Sequence, residues 1–134
     1  MEYGKKAVML ALFIASALPV WGAPAGAQGF RRTMLQMTAF PGTQYVTALY
    51  IVDVDAGAAV PRHTHPGLET LYILEGEVTL AIDGEPEKHL KPGDSVQIPM
   101  GTVHSVPAPA KPAKILVTYV VEKDKPLATI VPQK

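Results

Sequence analysis

Short apolar runs separated by turn signals are the feature that most constrains the fold of this chain. From Gln44 onward, runs rich in β-branched and aromatic residues, such as 44–54 (QYVTALYIVDV), alternate with breaks that contain Gly or Pro. The 134 residues include 13 prolines and 11 glycines, and no stretch beyond the first 27 residues repeats its apolar positions with a helical period. This pattern predicts seven to nine short strands, which is typical of an all-β sandwich or barrel.

The expected strands can be placed from the runs and the turns between them. Asp83-Gly84 is a strong hairpin signal, and 91–94 (KPGD) is a second turn. We expect strands at 44–54, 62–65, 69–74, 77–82, 88–90, 95–98, 103–106, 115–121 and 127–131. The predicted core consists of Leu71, Ile73, Val78, Leu80, Ile82, Val96, Ile98 and Leu116.

The N-terminus is typical of a secretory signal peptide. Lys5 and Lys6 precede an apolar run at 7–21, and small residues follow that end in Ala-Gly-Ala at 25–27. The alternative is an uncleaved membrane anchor, but the run is shorter than the roughly 20 residues that span a bilayer, and Pro19 interrupts it. We therefore expect cleavage after residue 27 and a periplasmic or secreted protein with no membrane partner once the signal is removed.

Length, charge and composition limit the remaining organisation. We predict a signal peptide at 1–27, an N-terminal arm at 28–43 and a single folded domain at 44–134. The formal net charge is zero and the basic residues are scattered, so we expect no nucleic-acid partner. The chain has no cysteine, which excludes disulfides, thiolate zinc sites and a cysteine nucleophile. A bound metal would need nitrogen and oxygen ligands.

Three histidines and one glutamate stand in two turn-rich segments. His63 and His65 are two residues apart, so on a strand their side chains point to the same face. Glu69 follows the turn at 66–68, and a second turn at 99–101 can present His104 from another strand. Three imidazoles and a carboxylate suit Mn, Fe, Ni, Cu or Zn rather than Ca or Mg. We predict that these four residues bind one divalent transition metal, and we assign no role to the remaining histidine, His89, in its charged stretch.

The same residues resemble the two sequence motifs of the cupin superfamily. The segment 57–76 matches G-x5-H-x-H-x3-4-E-x6-G at every fixed position, and 93–104 matches the first four positions of G-x5-P-x-G-x2-H-x3-N. Ala108 stands where the second motif has Asn, which is not a metal ligand in the family pattern. The short spacing between the motifs is similar to that of small single-domain cupins of the quercetin-dioxygenase-like type.

The resemblance implies a double-stranded β-helix (jelly-roll) fold for the domain at 44–134. It also implies a metal-dependent, dioxygenase-like oxidoreductase that acts on a small organic substrate, with His63, His65, Glu69 and His104 as ligands. Glu69 can be a ligand or can act as a catalytic general base. Two alternatives stay open, since fold does not determine chemistry: a non-catalytic cupin that binds or senses a small ligand or metal, and a metal-assisted isomerase or lyase. Related proteins often form dimers, so we expect a homodimer with 28–43 as its contact.

Overall fold

Ten β-strands form the regular structure of residues 29–133, the part of the chain that the computed structural model describes. They are β1 (Phe30–Ala39), β2 (Tyr45–Val54), β3 (Val60–Thr64), β4 (Gly67–Glu75), β5 (Val78–Ile82), β6 (Lys88–Leu90), β7 (Ser95–Ile98), β8 (His104–Val106), β9 (Ala113–Glu122) and β10 (Thr129–Ile130). The signal peptide predicted at 1–27 lies outside the described residues. Between residues 29 and 133 there is no helix long and apolar enough to cross a membrane.

The strands form two five-stranded antiparallel sheets. The strand order is β1-β2-β9-β4-β7 in the first sheet and β10-β3-β8-β5-β6 in the second. Neighbours in each sheet are mostly distant in sequence, as in β2 with β9 and β3 with β8, so the pairing depends on long-range contacts. The all-β prediction is confirmed, and the two sheets are consistent with the jelly-roll architecture.

The core lies between the sheets and is built from alternate residues of each strand. In β9, Ile115, Val117 and Tyr119 are buried, whereas the residues between them are partly exposed. Six predicted core residues are buried, namely Leu71, Ile73, Val78, Leu80, Ile82 and Ile98. Val96 is only partly buried and packs against this core. The prediction for Leu116 was wrong, because it lies on the outer face of β9, one position out of phase with the buried residues.

Strand β1 falls within the segment predicted as an N-terminal arm. It pairs with β2 along its length and forms one edge of the first sheet, with a register shift between Met34 and Gln36. Its side chains are largely exposed, including the apolar Met34, Leu35 and Met37. The division into signal peptide, arm and cupin domain stays a prediction.

Gly67, the first residue of β4, permits an unusually close approach of two strands. A Cβ atom at this position would lie 2.0 Å from the Val120 carbonyl oxygen and 2.7 Å from the Val121 Cα atom of β9. Because the conflict is with backbone atoms, no side-chain rotation can relieve it. Only glycine therefore fits here, two residues before Glu69.

Candidate metal centre

The structure brings all four predicted ligand residues together between the two sheets. His63 in β3 is paired with His104 in β8, and His65 lies just after the end of β3. Glu69 comes from β4 of the other sheet. One nitrogen or oxygen atom of each side chain lies within 4.8 Å of those of the other three. All four residues are buried, with exposed fractions of 8% for His63, 4% for His65, 3% for His104 and 4% for Glu69.

Strand geometry and one backbone hydrogen bond explain why the three histidines meet. His63 and His65 share one face because side chains two apart on an extended segment point the same way. The Gly101 amide donates a hydrogen bond to the His65 carbonyl at 3.1 Å, which attaches the turn before His104 to the end of β3. The two short motifs thus become neighbouring strand ends with convergent side chains.

Each imidazole ring is oriented by a backbone carbonyl on its outer side. The acceptors of the three Nδ1 atoms are Pro61 O for His63 at 2.7 Å, Leu127 O for His65 at 2.5 Å, and Thr102 O for His104 at 2.9 Å. A carbonyl can only accept, so Nδ1 carries the proton in each ring. In the neutral form every Nε2 atom is then left with a bare lone pair directed into the cluster, which is the arrangement that metal-binding histidines require.

The Nε2 and carboxylate oxygen atoms that face the centre of the cluster lie close together, but in the neutral tautomer no proton lies between them to form a hydrogen bond. The Nε2 atoms of His63 and His65 are 3.1 Å apart, and neither carries a proton in the neutral tautomer. Oε2 of Glu69 lies 3.2 Å from His65 Nε2 and 2.9 Å from His104 Nε2. Glu69 Oε2 and His104 Nε2 are both buried without a hydrogen-bond partner. Buried lone pairs that converge in this way are unfavourable unless a cation lies among them, so the cluster could bind a metal ion.

The charge state of the cluster also favours a cation. Burial raises the pKa of Glu69, but contacts with the imidazoles of His104 and His65 outweigh it and bring the pKa to about 2, so the carboxylate is ionised. Burial lowers the pKa of His63 to about 4, assisted by the neighbouring imidazoles and opposed by the Pro61 carbonyl. Burial also lowers the pKa of His104, but the Glu69 carboxylate more than compensates and holds that pKa above its usual value. A metal would replace the proton that His104 otherwise attracts.

A small pocket with apolar walls opens beside the cluster. Its cavity volume is about 80 Å³, and His63, Glu69 and His104 form one of its sides. Its apolar walls include Val52, Leu71, Leu80, Val106, Ile115 and Val117. A substrate in this pocket would contact the cluster from a side with mostly apolar walls.

Tyr119 of β9 also lines the pocket. Its ring packs against the His65 ring with a centroid distance of 4.8 Å and meets Tyr50 edge-on at 5.6 Å. Burial and the nearby Glu69 carboxylate raise the pKa of the Tyr119 hydroxyl far above its ordinary value, so the hydroxyl keeps its proton and can donate it in a hydrogen bond. The alternation of β9 places Tyr119 in phase with Ile115, which is the sequence signal for its inward position.

Arg32 also lines the pocket and comes from the segment predicted as an arm. No short-range pattern in the sequence indicates this position. Arg62, next to His63, forms an ion pair with Asp83 and lies away from the cluster. His89 is exposed and contacts Thr79, so it lies outside the site, as expected.

Fold and site together define a small all-β protein whose buried cluster of three histidines and one glutamate could bind a metal ion. Residues 50–119, just over half of the chain, match the protein family described as Cupin domain. The chain therefore belongs to the cupin family, and the matched residues include all four members of the cluster.

Two curated proteins show what the sequence is similar to. It is 38% identical over 72 residues to dimethylsulfoniopropionate lyase DddQ of Ruegeria pomeroyi, a match that covers 54% of this chain and 36% of the lyase. It is 38% identical over 71 residues to auxin-binding protein ABP19b of Prunus persica, covering 48% of this chain and 34% of that protein. The chain thus spans about a third of the length of these relatives.

Solved structures show the same likeness. The crystal structure of DddQ from Ruegeria pomeroyi superposes with a TM-score of 0.65 at 28% identity, covering 76% of this chain and 51% of the lyase. A cupin-like protein from Thermotoga maritima superposes with a TM-score of 0.62 at 27% identity, covering 76% of this chain and 75% of that protein. The cupin fold of this chain is thereby supported by sequence and by structure.

Proposed function

We propose that this protein is a metal-dependent lyase of the cupin family that acts on a small organic substrate. The observation that carries the proposal is the buried cluster of three imidazoles and one ionised carboxylate beside a pocket with apolar walls. Within the cluster, Glu69 Oε2 and His104 Nε2 have no hydrogen-bond partner. The similarity to dimethylsulfoniopropionate lyase supports this reaction class over the other metal-dependent reactions that cupins perform.

The cluster residues would hold the metal, and the donor set suits Fe, Mn, Ni, Cu or Zn. His63, His65, His104 and Glu69 supply four ligands, which leaves open positions on a five- or six-coordinate ion. When bound, the metal would act as a Lewis acid that polarises an oxygen of the substrate. The carbonyls behind the three rings would keep the ligands in place during the reaction.

The chain's own residues provide the groups that an elimination needs. A lyase of this kind removes a proton from one carbon while a leaving group departs from the next carbon with the bonding electrons. The ionised Glu69 carboxylate can serve as a metal ligand or as the base that accepts this proton. The Tyr119 hydroxyl, which lines the pocket in its protonated form, can donate a hydrogen bond to the substrate.

The pocket also limits the size of the substrate. Its volume of about 80 Å³ is about half of the ~150 Å³ cavity that accommodates benzene in an engineered protein. A substrate with a few carbon atoms fits this space better than a polycyclic aromatic compound, and one as large as dimethylsulfoniopropionate would extend out through the open side of the pocket.

The second candidate is a dioxygenase-like oxidoreductase on the same site. It is favoured by the ligand set, because four protein ligands leave room for dioxygen as well as substrate on a redox-active ion. The two reactions differ in their need for oxygen, so one experiment separates them.

The test uses full-length protein loaded separately with Fe, Mn, Ni, Cu or Zn. Dimethylsulfoniopropionate and a panel of small carbonyl compounds with a β leaving group are followed by proton NMR, with and without oxygen. Turnover without oxygen that disappears in His104→Ala and persists in His89→Ala would support the lyase. Turnover that requires and consumes oxygen would favour the dioxygenase. Binding of a panel compound without turnover under either condition would favour a binding cupin.

We propose in addition that the protein works in the periplasm or outside the cell. The support is the N-terminal sequence, in which two lysines, an apolar run and an Ala-Gly-Ala site occur in the order of a cleaved leader. N-terminal sequencing of protein recovered from culture medium and periplasm would test it, and a chain that retains residues 1–27 would contradict it.

We also propose a homodimer formed through β1. Among residues 29–133 this strand lies at one edge of its sheet. Met34, Leu35, Met37 and the adjacent Phe40 are about half exposed, which is unfavourable for a solvated edge. Light scattering should give a dimer mass that becomes a monomer mass in Met37→Lys. A monomer mass for the unaltered protein would contradict the proposal.

A further inference from the structure

We propose that Arg32 binds a carboxylate group of the substrate, so that the substrates of this protein are small organic acids. The inference rests on the proposed function, because Arg32 lies at the same pocket as the metal cluster. It adds the chemical class of the substrate and a residue that selects it.

The register of β1 directs Arg32 toward the pocket. Arg32 is paired with Val52 of β2, and Val52 is a buried residue of the pocket wall. Residues directly opposite each other in antiparallel strands project from the same face of the sheet, so Arg32 lies on the inner face. The preceding residue, Arg31, is paired with Asp53 and therefore lies on the outer face.

Arg32 differs from other arginines of the described chain in its partners. Arg31 forms an ion pair with Asp53 at 3.1 Å, and Arg62 forms one with Asp83. Within residues 29–133, Arg32 forms no ion pair. Its guanidinium lies 5.8 Å from the centre of the Phe30 ring and interacts with the Tyr119 hydroxyl, and neither group carries a negative charge.

Arg32 is exposed to solvent where it lines the pocket, so its guanidinium is accessible to a ligand that enters there. With no acidic partner within residues 29–133, it is available to pair with an anionic group of that ligand. A carboxylate matches the planar guanidinium in size and accepts two parallel hydrogen bonds from it. Held there, the rest of a small substrate would extend between the apolar walls toward the cluster and the Tyr119 hydroxyl. The guanidinium of Arg32 carries one charge, which matches a monoanionic carboxylate and would leave half the charge of a doubly ionised phosphate unpaired at this position.

The test compares binding by metal-loaded protein in four forms: unaltered, Arg32→Gln, Arg32→Lys and Arg31→Gln. Arg31→Gln is the matched control, since it removes the same charge from the neighbouring position on the opposite face of β1. The probes are propionate, dimethylsulfoniopropionate, the neutral isostere propionamide and inorganic phosphate, titrated by NMR. The metal content of each variant is measured by elemental analysis.

Loss of a hydrogen-bonded charge pair predicts that Arg32→Gln weakens binding of the two carboxylates by about 10- to 100-fold. Arg32→Lys should recover part of this loss, because Lys restores the charge without the planar donors. Arg31→Gln should bind as the unaltered protein does, propionamide should be insensitive to residue 32, and the metal content should be the same throughout.

Several results would overturn the inference. Equal propionate binding by the unaltered protein and Arg32→Gln would show that the carboxylate binds elsewhere, for example on the metal itself. An equal loss in Arg31→Gln would indicate a general charge effect, and phosphate bound more tightly than propionate would indicate a different anion. Turnover of a substrate without a carboxylate, at the same rate in Arg32→Gln, would overturn the inference and leave the lyase standing. Carboxylate binding that depends on Arg32, without turnover of the panel, would leave Arg32 standing and count against the lyase.

Discussion

Replacement of Gly67 by alanine should test how the packing of two strands supports the metal site. The new Cβ atom would lie 2.0 Å from the Val120 carbonyl oxygen and 2.7 Å from the Val121 Cα atom. Contacts below 3.0 Å are not tolerated, so β4 and β9 must separate locally by about 1 Å. Overpacking of this severity costs about 3 kcal/mol of folding free energy. For a domain of this size that corresponds to a fall in melting temperature of roughly 10–20 °C.

The same displacement should reach the site. Glu69 is two residues beyond Gly67 in β4 and is paired with Tyr119 of β9, so separation of these strands moves both groups. We expect the affinity for Zn²⁺ to fall about 10-fold or more, as it does when groups that orient metal ligands are altered.

Urea unfolding at pH 7 measures the stability, and titration of metal-free protein with Zn²⁺ measures the affinity. Gly84→Ala is the matched control, since Gly84 has a φ of +82° but no atom within 4 Å of an added Cβ. It should cost only the ~1–2 kcal/mol of a left-handed alanine and leave the affinity unchanged. The reasoning would be refuted if Gly67→Ala were no less stable than Gly84→Ala, or if it bound Zn²⁺ as tightly as the unaltered protein.

Three further predictions concern the site itself. Removal of metal with a chelator should lower the melting temperature, and readdition should restore it in the unaltered protein but not in His104→Ala, as followed by calorimetry. In metal-free protein, burial lowers the pKa of His63 from an ordinary 6.5 to about 4. As the pH drops between these values, His63 becomes protonated in the unfolded chain but not in the folded protein, so the free energy of unfolding falls. Urea unfolding should show a smaller fall over that range in His63→Asn, and an identical fall would contradict the assignment. Tyr119→Phe should keep its fold and metal content but lose turnover at least tenfold, and full activity would exclude a role for the hydroxyl.

Local patterns in the sequence determined the strands and the identity of the cluster. The predicted strands at 88–90 and 95–98 coincide with β6 and β7, because turn signals on both sides mark their ends. The same-face prediction for His63 and His65 needed only the two-residue period of an extended chain. The approach of Glu69 and His104 to them was indicated by two fixed spacings around short turns. The shared face of His63 and His65 depends only on adjacent residues, whereas His104 meets them through the pairing of β3 with β8. Its place in the cluster was predicted from the resemblance of both segments to the cupin motifs.

The sequence did not predict correctly which face of β9 is buried, because the local pattern was ambiguous. Apolar residues occupy both Ile115 and Leu116, and the choice of Leu116 as a core residue was wrong because either phase of β9 satisfies the pattern. Packing of β9 between β2 and β4 decides the phase, since only one alignment directs Ile115 and Tyr119 between the two sheets.

Tertiary structure alone decided what surrounds the cluster. The pairing of β1 with β2 brings Arg32 to the pocket, and the chain before β10 brings the Leu127 carbonyl to His65, 62 residues away. The need for glycine at position 67 arises from the backbone of β9 and not from any turn. Each of these contacts depends on the register between strands that are distant in sequence. That register is set by burial of whole sheet faces, and no short segment contains it. The cluster could thus be read from the sequence, whereas the groups that orient it and the pocket it faces exist only in the folded chain.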